Sequence, residues 1–313
     1  MIRVSIVAPC YNEEAGLRRS AERLVDLLRR MTEEHLVASD SFILLVNDGS
    51  ADGTWREIRA LHHDFPSVRG LDLAHNVGQQ AALMAGLMEV AKICDAAVTV
   101  DIDLQDDINR IPEMVRLYEE GCEVVYGVRS SRGVDPVMKR LTAAAFYRLQ
   151  RAMGIEAVAN HADFRLMGHR VLEELGRYGE RNLYLRGIVP LMGFRAAKVE
   201  YPRVPREGGK SKYTFRRMAS LALDGLTSFS VKPLKIVIAL GCLFVLFALA
   251  MGIYVLVSIL MGKTVAGWSS LILSIWFVGG MIMMAVGMTG LYIGRIYIEV
   301  KGRPRYHVRE RIF

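Results

Sequence analysis

Ala96-Ala97-Val98-Thr99-Val100 runs straight into Asp101-Ile102-Asp103-Leu104-Gln105-Asp106-Asp107, and the reading of this stretch decides the rest. Five small or β-branched residues form a buried-type strand, and the carboxylates after it mark where the chain turns. Asp101 and Asp103, one residue apart at such a turn, can converge on a single hard divalent cation. Oxygen-only ligands suit Mg2+ or Mn2+, and the Gln105 side chain could add a neutral oxygen. Asp101, Asp103 and Gln105 are therefore the candidate metal ligands, and a cation held there would bridge a diphosphate. The plain alternative is a solvated acidic turn in which Asp106 or Asp107 caps the helix beginning near Ile111. No His or Cys cluster in the sequence competes for a transition metal.

Outward from this strand, residues 1–130 alternate apolar strand runs with amphipathic helices, the pattern of an α/β layered domain. Further strands are predicted over 4–8, 42–46, 68–73 and 123–126, and helices over 14–34, 52–65, 77–92 and 111–120. The first helix carries Leu17, Ala21, Leu24, Leu27, Leu28 and Met31 at helical spacing. Most strands end in a polar cluster: Tyr11-Asn12-Glu13, Asn47-Asp48-Gly49-Ser50, Asp101 to Asp106, and Arg129. In an open α/β sheet, ligands bind outside the carboxyl ends of the strands. Singly, each cluster reads as loop polarity or a helix cap. Together, at one edge, they point to a site. Residues 138–200 are mixed and less periodic.

The 313 residues are 52% hydrophobic, and the mean hydropathy of +0.23 is high for a soluble enzyme. The surplus sits near the C-terminus, where residues 236–262 and 264–294 carry no formal charge. At about 1.5 Å of rise per residue, either run can cross a hydrocarbon core of about 30 Å. The net charge of +7 divides into −4 over 1–202, +6 over 203–235 and +4 over 295–313, with Lys263 alone between the apolar runs. Basic residues clustered beside apolar spans fit anionic headgroups and the positive-inside rule, not nucleic acid. The expected organisation is a catalytic domain over 1–213, a juxtamembrane amphipathic helix over 214–232, and 233–313 as two transmembrane helices with a basic tail. The spans fall at about 236–260 and 269–294, with the globular domain and both termini cytoplasmic. Gly290-Leu291-Tyr292-Ile293-Gly294 fits a small-xxx-small packing face, which allows homo-oligomerisation through the spans. Met1 to Pro9 reads as a strand and not as a leader peptide. The four cysteines show no metal spacing and no CxxC, as for thiols in a reducing compartment. A purely soluble protein, a disordered chain and a disulfide scaffold are excluded.

Pro9-Cys10-Tyr11-Asn12-Glu13, Asn47-Asp48-Gly49-Ser50 and Asp101-Ile102-Asp103-Leu104-Gln105, at these intervals, resemble the family 2 glycosyltransferases with the GT-A fold, a Rossmann-like α/β domain. Asp163-Phe164-Arg165-Leu166 and Arg206-Glu207-Gly208-Gly209-Lys210-Ser211-Lys212-Tyr213 resemble its polyprenyl-phosphate branch, which includes dolichol-phosphate mannose synthase and the bactoprenol glucosyltransferases. The likeness covers essentially the whole chain. It implies that Pro9, Tyr11, Glu13, Val46 and Asp48 line a nucleotide pocket, with Asp48 accepting from a base or ribose donor. It implies that Asp101, Ile102, Asp103 and Gln105 lie at the metal and diphosphate, and Arg129 near the sugar or phosphates. Arg206 and Lys212 would close over the diphosphate and, with Ser211, bind the lipid phosphate. Catalytic roles fall on Asp103, Arg129 and Asp163. Asp163 is a candidate base or acceptor-orienting group, or else an ion-pair partner of Arg165 that holds a loop. Two residues depart from the family's habit: Asn47 and Lys210 stand where an acid is often found.

The activity implied is inverting transfer of a sugar from a nucleotide-sugar donor, a UDP-sugar such as UDP-glucose, to polyprenyl (undecaprenyl) phosphate. It would take place at the cytoplasmic face of the inner (plasma) membrane and serve cell-envelope glycosylation. A lipid phosphate is already an anion, so the harder tasks are stabilising the departing diphosphate and bringing two anions together. A processive polysaccharide synthase would instead predict a Gln-x-x-Arg-Trp motif and more spans, and Trp55, Trp268 and Trp276 sit in no such context. A non-catalytic scaffold or flippase partner would predict loss of the metal carboxylates, and both are present.

Overall fold

The computed structural model describes residues 1–129, 161–180, 185–202 and 267–313, with part of 237–261. Its centre is β1 (Val4–Cys10), flanked by parallel strands β2 (Phe42–Asn47) and β4 (Ala96–Thr99). Beyond β2 lies β3 (Val68–Leu73), also parallel. The full sheet, with β5 (Val124–Arg129), β6 (His161–Gly168), β7 (Ala196–Tyr201) and β8 (Val308–Ile312), has the order β7-β5-β6-β4-β1-β2-β3-β8. Every residue of β2 is buried, the mark of a parallel strand covered on both faces.

The helices are α1 (Leu17–Glu33), α2 (Thr54–Asp64), α3 (Gln79–Val90), α4 (Ile111–Glu119), α5 (His169–Arg177), α6 (Leu185–Leu191) and α7 (Trp268–Val300). α1 buries the six apolar residues whose spacing predicted it. α3 lies so close to the sheet that a Cβ on Gly86 would fall 2.5 Å from Val7 Cγ1 and 2.8 Å from Val46 Cγ2. The chain goes from β1 out through β2 to β3, then returns to β4 on the other side of β1. That reversal is a topological switch point, and the crevice outside the carboxyl ends of β1 and β4 is where a ligand fits.

Two strands depart from this parallel scheme, and both alter the sequence reading. β6 runs antiparallel between β4 and β5, so its first residues lie at the carboxyl edge of its neighbours. β8 pairs antiparallel with β3, which corrects the reading of residues 295–313 as a basic tail. Along Val308-Arg309-Glu310-Arg311-Ile312 exposure alternates with period two, and the three consecutive charged residues make a charged edge strand.

The chain forms two compact units, one containing the sheet and closing with residues 303–313, the other containing α7. Within α7, Phe277–Val300 is 24 residues long with a hydropathy of 1.6, enough by length and composition to cross a membrane. The predicted amphipathic helix at 214–232 and the candidate residues Arg206, Ser211 and Lys212 lie outside the described residues. The predicted span at 236–260 is described only in part.

Candidate active site

The site is built on the turn that follows β4. Val100 still donates to the Val7 carbonyl at 3.0 Å, and Leu104 N–H then closes on the Asp101 carbonyl at 3.0 Å. Leu104 is held at φ +46°, a conformation that costs a non-glycine residue about 1 kcal/mol or more. Ile102 and Leu104 are buried in the core, which anchors the turn and leaves the alternate residues Asp101, Asp103 and Gln105 at the edge. The Ile102 side chain therefore serves the site as an anchor for the turn.

Burial, and then the neighbouring carboxylates of Asp163, Asp106 and Asp103, push the Asp101 carboxyl up to about 7. So much converging negative charge suits a cation. Mg2+ is commonly held by one or two carboxylates plus substrate phosphate oxygens, so Asp101 and Asp103 fit that role. Among the described residues, no group of three His, Cys, Asp or Glu forms a closed metal cage. Gln105 Nε2 donates to Asp103 Oδ2 at 2.8 Å, so its amide orients Asp103. The helix-cap alternative divides between two residues. Asp107 caps the 3-10 turn Ile108–Arg110 by accepting from Asn109 N–H. Asp106 is buried and accepts instead from Arg129 and from Tyr201 Oη, at 2.7 Å to each. Arg129 is thereby paired with Asp106.

Asp163 reaches the same edge because β6 is antiparallel. It is 2% exposed, and its Oδ1 accepts from Arg165 at 2.8 Å and from Arg186 Nε at 3.0 Å. Oδ2 accepts from Arg186 Nη2 at 2.9 Å and from Gln80 at 3.3 Å. Burial alone would raise this carboxyl, but hydrogen bonds and charge from Arg186, with the Arg165 charge, outweigh it and hold it below the usual range. The ion pair with Arg165 is thus present, extended by Arg186 and Gln80. Gln79, beside Gln80 at the start of α3, donates to Asp101 Oδ1 at 2.6 Å.

The ends of β1 and β2 form the other side of the crevice. Asp48 is 3% exposed and accepts from Val77 N–H at 2.7 Å and Gly78 N–H at 3.0 Å. In this state it pins the 74–78 loop to β2. Burial raises its pKa, partly offset by those two backbone bonds. Tyr11 is half exposed, and the Glu13 carbonyl accepts from Gly16 and Leu17, starting α1. Pro9 stands opposite Val46 in the ladder. The Val46 side chain is fully buried against α3, so the residue can face a nucleotide only through its backbone. Asn47 donates to the buried Asp72 at 2.7 Å, a place where a second carboxylate would face the first. Burial, and then the Glu13 charge, push the Cys10 thiol well up, so it stays protonated and is no nucleophile.

Sequence reasoning missed Gln79, Gln80, Arg186 and Tyr201, and read Asp106 only as part of the acidic turn or as a helix cap. The glutamines carried a legible signal, since adjacent amides open a helix at the ligand edge of the sheet. Arg186 on α6 and Tyr201 on β7 are brought to the site by tertiary packing between distant segments.

An open sheet with a carboxylate turn at its switch point defines the class: a GT-A glycosyltransferase. Residues 5–176 match the profile described as glycosyl transferase family 2, and the chain belongs to that family. It is 50% identical over 307 residues to the uncharacterized glycosyltransferase YkoT of Bacillus subtilis (strain 168), covering 97% of this chain and 90% of that protein. It is 36% identical over 312 residues to the bactoprenol glucosyl transferase of Shigella phage SfX, covering 99% of this chain and all (100%) of that protein. The mannosyltransferase PcManGT from Pyrobaculum calidifontis, solved in complex with GDP-Man and Mn2+, shares the fold: TM-score 0.50 at 14% identity, over 97% of this chain and 88% of that one.

Proposed function

We propose that this glycosyltransferase moves a sugar, with inversion, from a UDP-sugar such as UDP-glucose to polyprenyl (undecaprenyl) phosphate at the cytoplasmic face of the inner (plasma) membrane. The observation that carries the reading is the state of Asp163. A sugar-hydroxyl acceptor needs a general base. Asp163 is buried, ionised and occupied by Arg165 and Arg186, a poor base but a good anchor for cationic groups. A lipid phosphate arrives as an anion and needs no such base. Its oxygen attacks the anomeric carbon as the bond to the nucleotide diphosphate breaks, so an α-linked donor gives a β-linked product.

In this reading the nucleotide lies against the ends of β1 and β2, and Gln79, Gln80 and Arg186 hold Asp101 and Asp163 in register for the diphosphate and acceptor. A divalent cation on Asp101 and Asp103 would neutralise charge on the departing diphosphate. Arg206, Ser211 and Lys212 would receive the lipid phosphate. Full-length similarity to bactoprenol glucosyl transferases supports the acceptor class.

The membrane topology has support of its own. β8 belongs to the same sheet as β1, so residues on both sides of the apolar region share one compartment. An even number of crossings is then required between 203 and 302. α7 offers one, and the uncharged run 236–262 offers the second.

A panel of radiolabelled UDP- and GDP-sugars with undecaprenyl phosphate in detergent tests the proposal. Label from UDP-glucose should enter the organic-solvent extract only when the lipid phosphate is present. Transfer to a dephosphorylated lipid, or to none of these acceptors, would overturn it.

A further inference from the structure

The strand that follows α7 does more than close the sheet. Asp72 on β3 is fully buried, and its carboxylate is shared between two donors: Asn47 Nδ2 at 2.7 Å and Arg309 Nε of β8. Asn47 is itself fully buried at the last position of β2, and its Oδ1 accepts from Ser50 N–H at 3.3 Å. Ser50 Oγ accepts from Asn12 N–H at 3.0 Å, and Asn12 Oδ1 accepts in turn from Ala51 N–H at 2.9 Å. A continuous path therefore leads from Arg309 to the loops that end β1 and β2.

A second path starts on the same segment. The His307 carbonyl accepts from Ala74 N–H at 2.9 Å, three residues before the N–H pair of Val77 and Gly78 that holds Asp48. There is no slack between the two paths. At Gly49, φ +59°, a Cβ would fall 2.3 Å from the His75 carbonyl carbon. Backbone meets backbone there, and only glycine fits.

We propose that β8 is a positioning strand for the donor nucleotide, with Arg309 acting through Asp72 and Asn47 on the loops that carry Asn12, Asp48 and Ser50. The physical reason is the Asp72 charge. A buried carboxylate whose cationic partner is removed must find another donor, draw in water or move. Each response disturbs Asn47, and a connected network transmits the change to the loops. Arg309 touches no reacting atom and is a positioning residue.

The proposal rests on the nucleotide-donor reading of this edge, and the test separates the two. UDP and GDP binding is measured by calorimetry on the full-length protein in detergent, alongside donor KM, lipid KM, kcat and the unfolding midpoint. Arg309→Gln should weaken nucleotide binding and raise donor KM by about fivefold or more, with kcat and lipid KM within about twofold. Asp72→Asn combined with Arg309→Gln removes both charges and should recover most of the donor affinity. Arg59→Ala breaks the pair with Glu310 on the same strand, away from Asp72, and should lower the midpoint slightly without moving donor KM. Unchanged nucleotide affinity in Arg309→Gln, or an equal loss in Arg59→Ala, would reduce β8 to a structural staple and overturn the proposal. Failure of the wild-type protein to bind either nucleotide would overturn the site reading and this inference together.

Discussion

Replacing Asp163 with asparagine should destabilise the protein strongly while leaving the shape of its pH–rate profile unchanged. The magnitude follows from the surroundings. Arg165 is 1% exposed, and Asp163 is its hydrogen-bonded counter-ion at 2.8 Å. Removing one member of a buried pair costs about 3–5 kcal/mol, because the remaining charge stays buried without compensation. Arg186 is 38% exposed at its side chain, so its share is screened and adds little. Asparagine keeps one acceptor oxygen, which places the expected loss near about 3 kcal/mol. For a domain of this size, each 1 kcal/mol moves the midpoint by about 2–4 °C, giving a drop of about 6–12 °C. Thermal unfolding of the full-length protein in detergent, followed by tryptophan fluorescence, measures it. The sign of the pH dependence is also fixed. The Asp163 carboxyl is held below its unfolded value of about 3.9, so its stabilisation is fully present above that value and is lost as pH falls through the folded one. The gap between wild type and variant should stay constant from pH 8 to about 5 and close below about 4. A midpoint shift under about 2 °C, or loss of the acidic limb of the rate profile, would refute the anchoring role and restore Asp163 as a base.

The other expectations are these. Asp103→Asn should abolish transfer while leaving the unfolding midpoint near wild type, and full activity after EDTA treatment would remove the metal from the scheme. Gly86→Ala should destabilise by about 1–2 kcal/mol by chemical denaturation, since overpacking against Val7 and Val46 outweighs the helix-propensity gain; a neutral result would mean that α3 can shift outward. An introduced cysteine at Gly262 should label from outside the cell and one at Arg303 should not, and the reverse pattern would sink the cytoplasmic-donor topology. Arg206→Ala and Lys212→Ala should each cut turnover at saturating lipid by about tenfold, or about 1.4 kcal/mol; near-normal turnover in both would take them out of the site.

Much of the sheet was legible because its parallel strands are short apolar runs with amphipathic helices between them, a pattern whose periodicity is local. The run 68–73 was read to its exact bounds, and α1 from six apolar positions. The acidic turn after β4 was legible for the same reason, since its carboxylates are neighbours in sequence. Asp163 was visible as a motif residue, but not its bidentate partner Arg186, 23 residues further on. The side-chain partners of Arg129 and Val46 were not legible, because sequence spacing does not say which face of a strand a side chain takes, or which carboxylate it meets first.

By itself, the sequence determined the α/β class, the edge at which polar clusters gather, the family and the two uncharged runs near the C-terminus. Each follows from residue order over a few positions: periodicity, charge and motif. The tertiary structure decided that β6 and β8 are antiparallel, that Arg129 belongs to Asp106, and that Asp163 is sealed between two arginines. It also joined Arg309 to Asp72 across 237 residues of chain. These are pairings between distant segments, and they form because a buried charge must have a partner, wherever in the chain that partner lies.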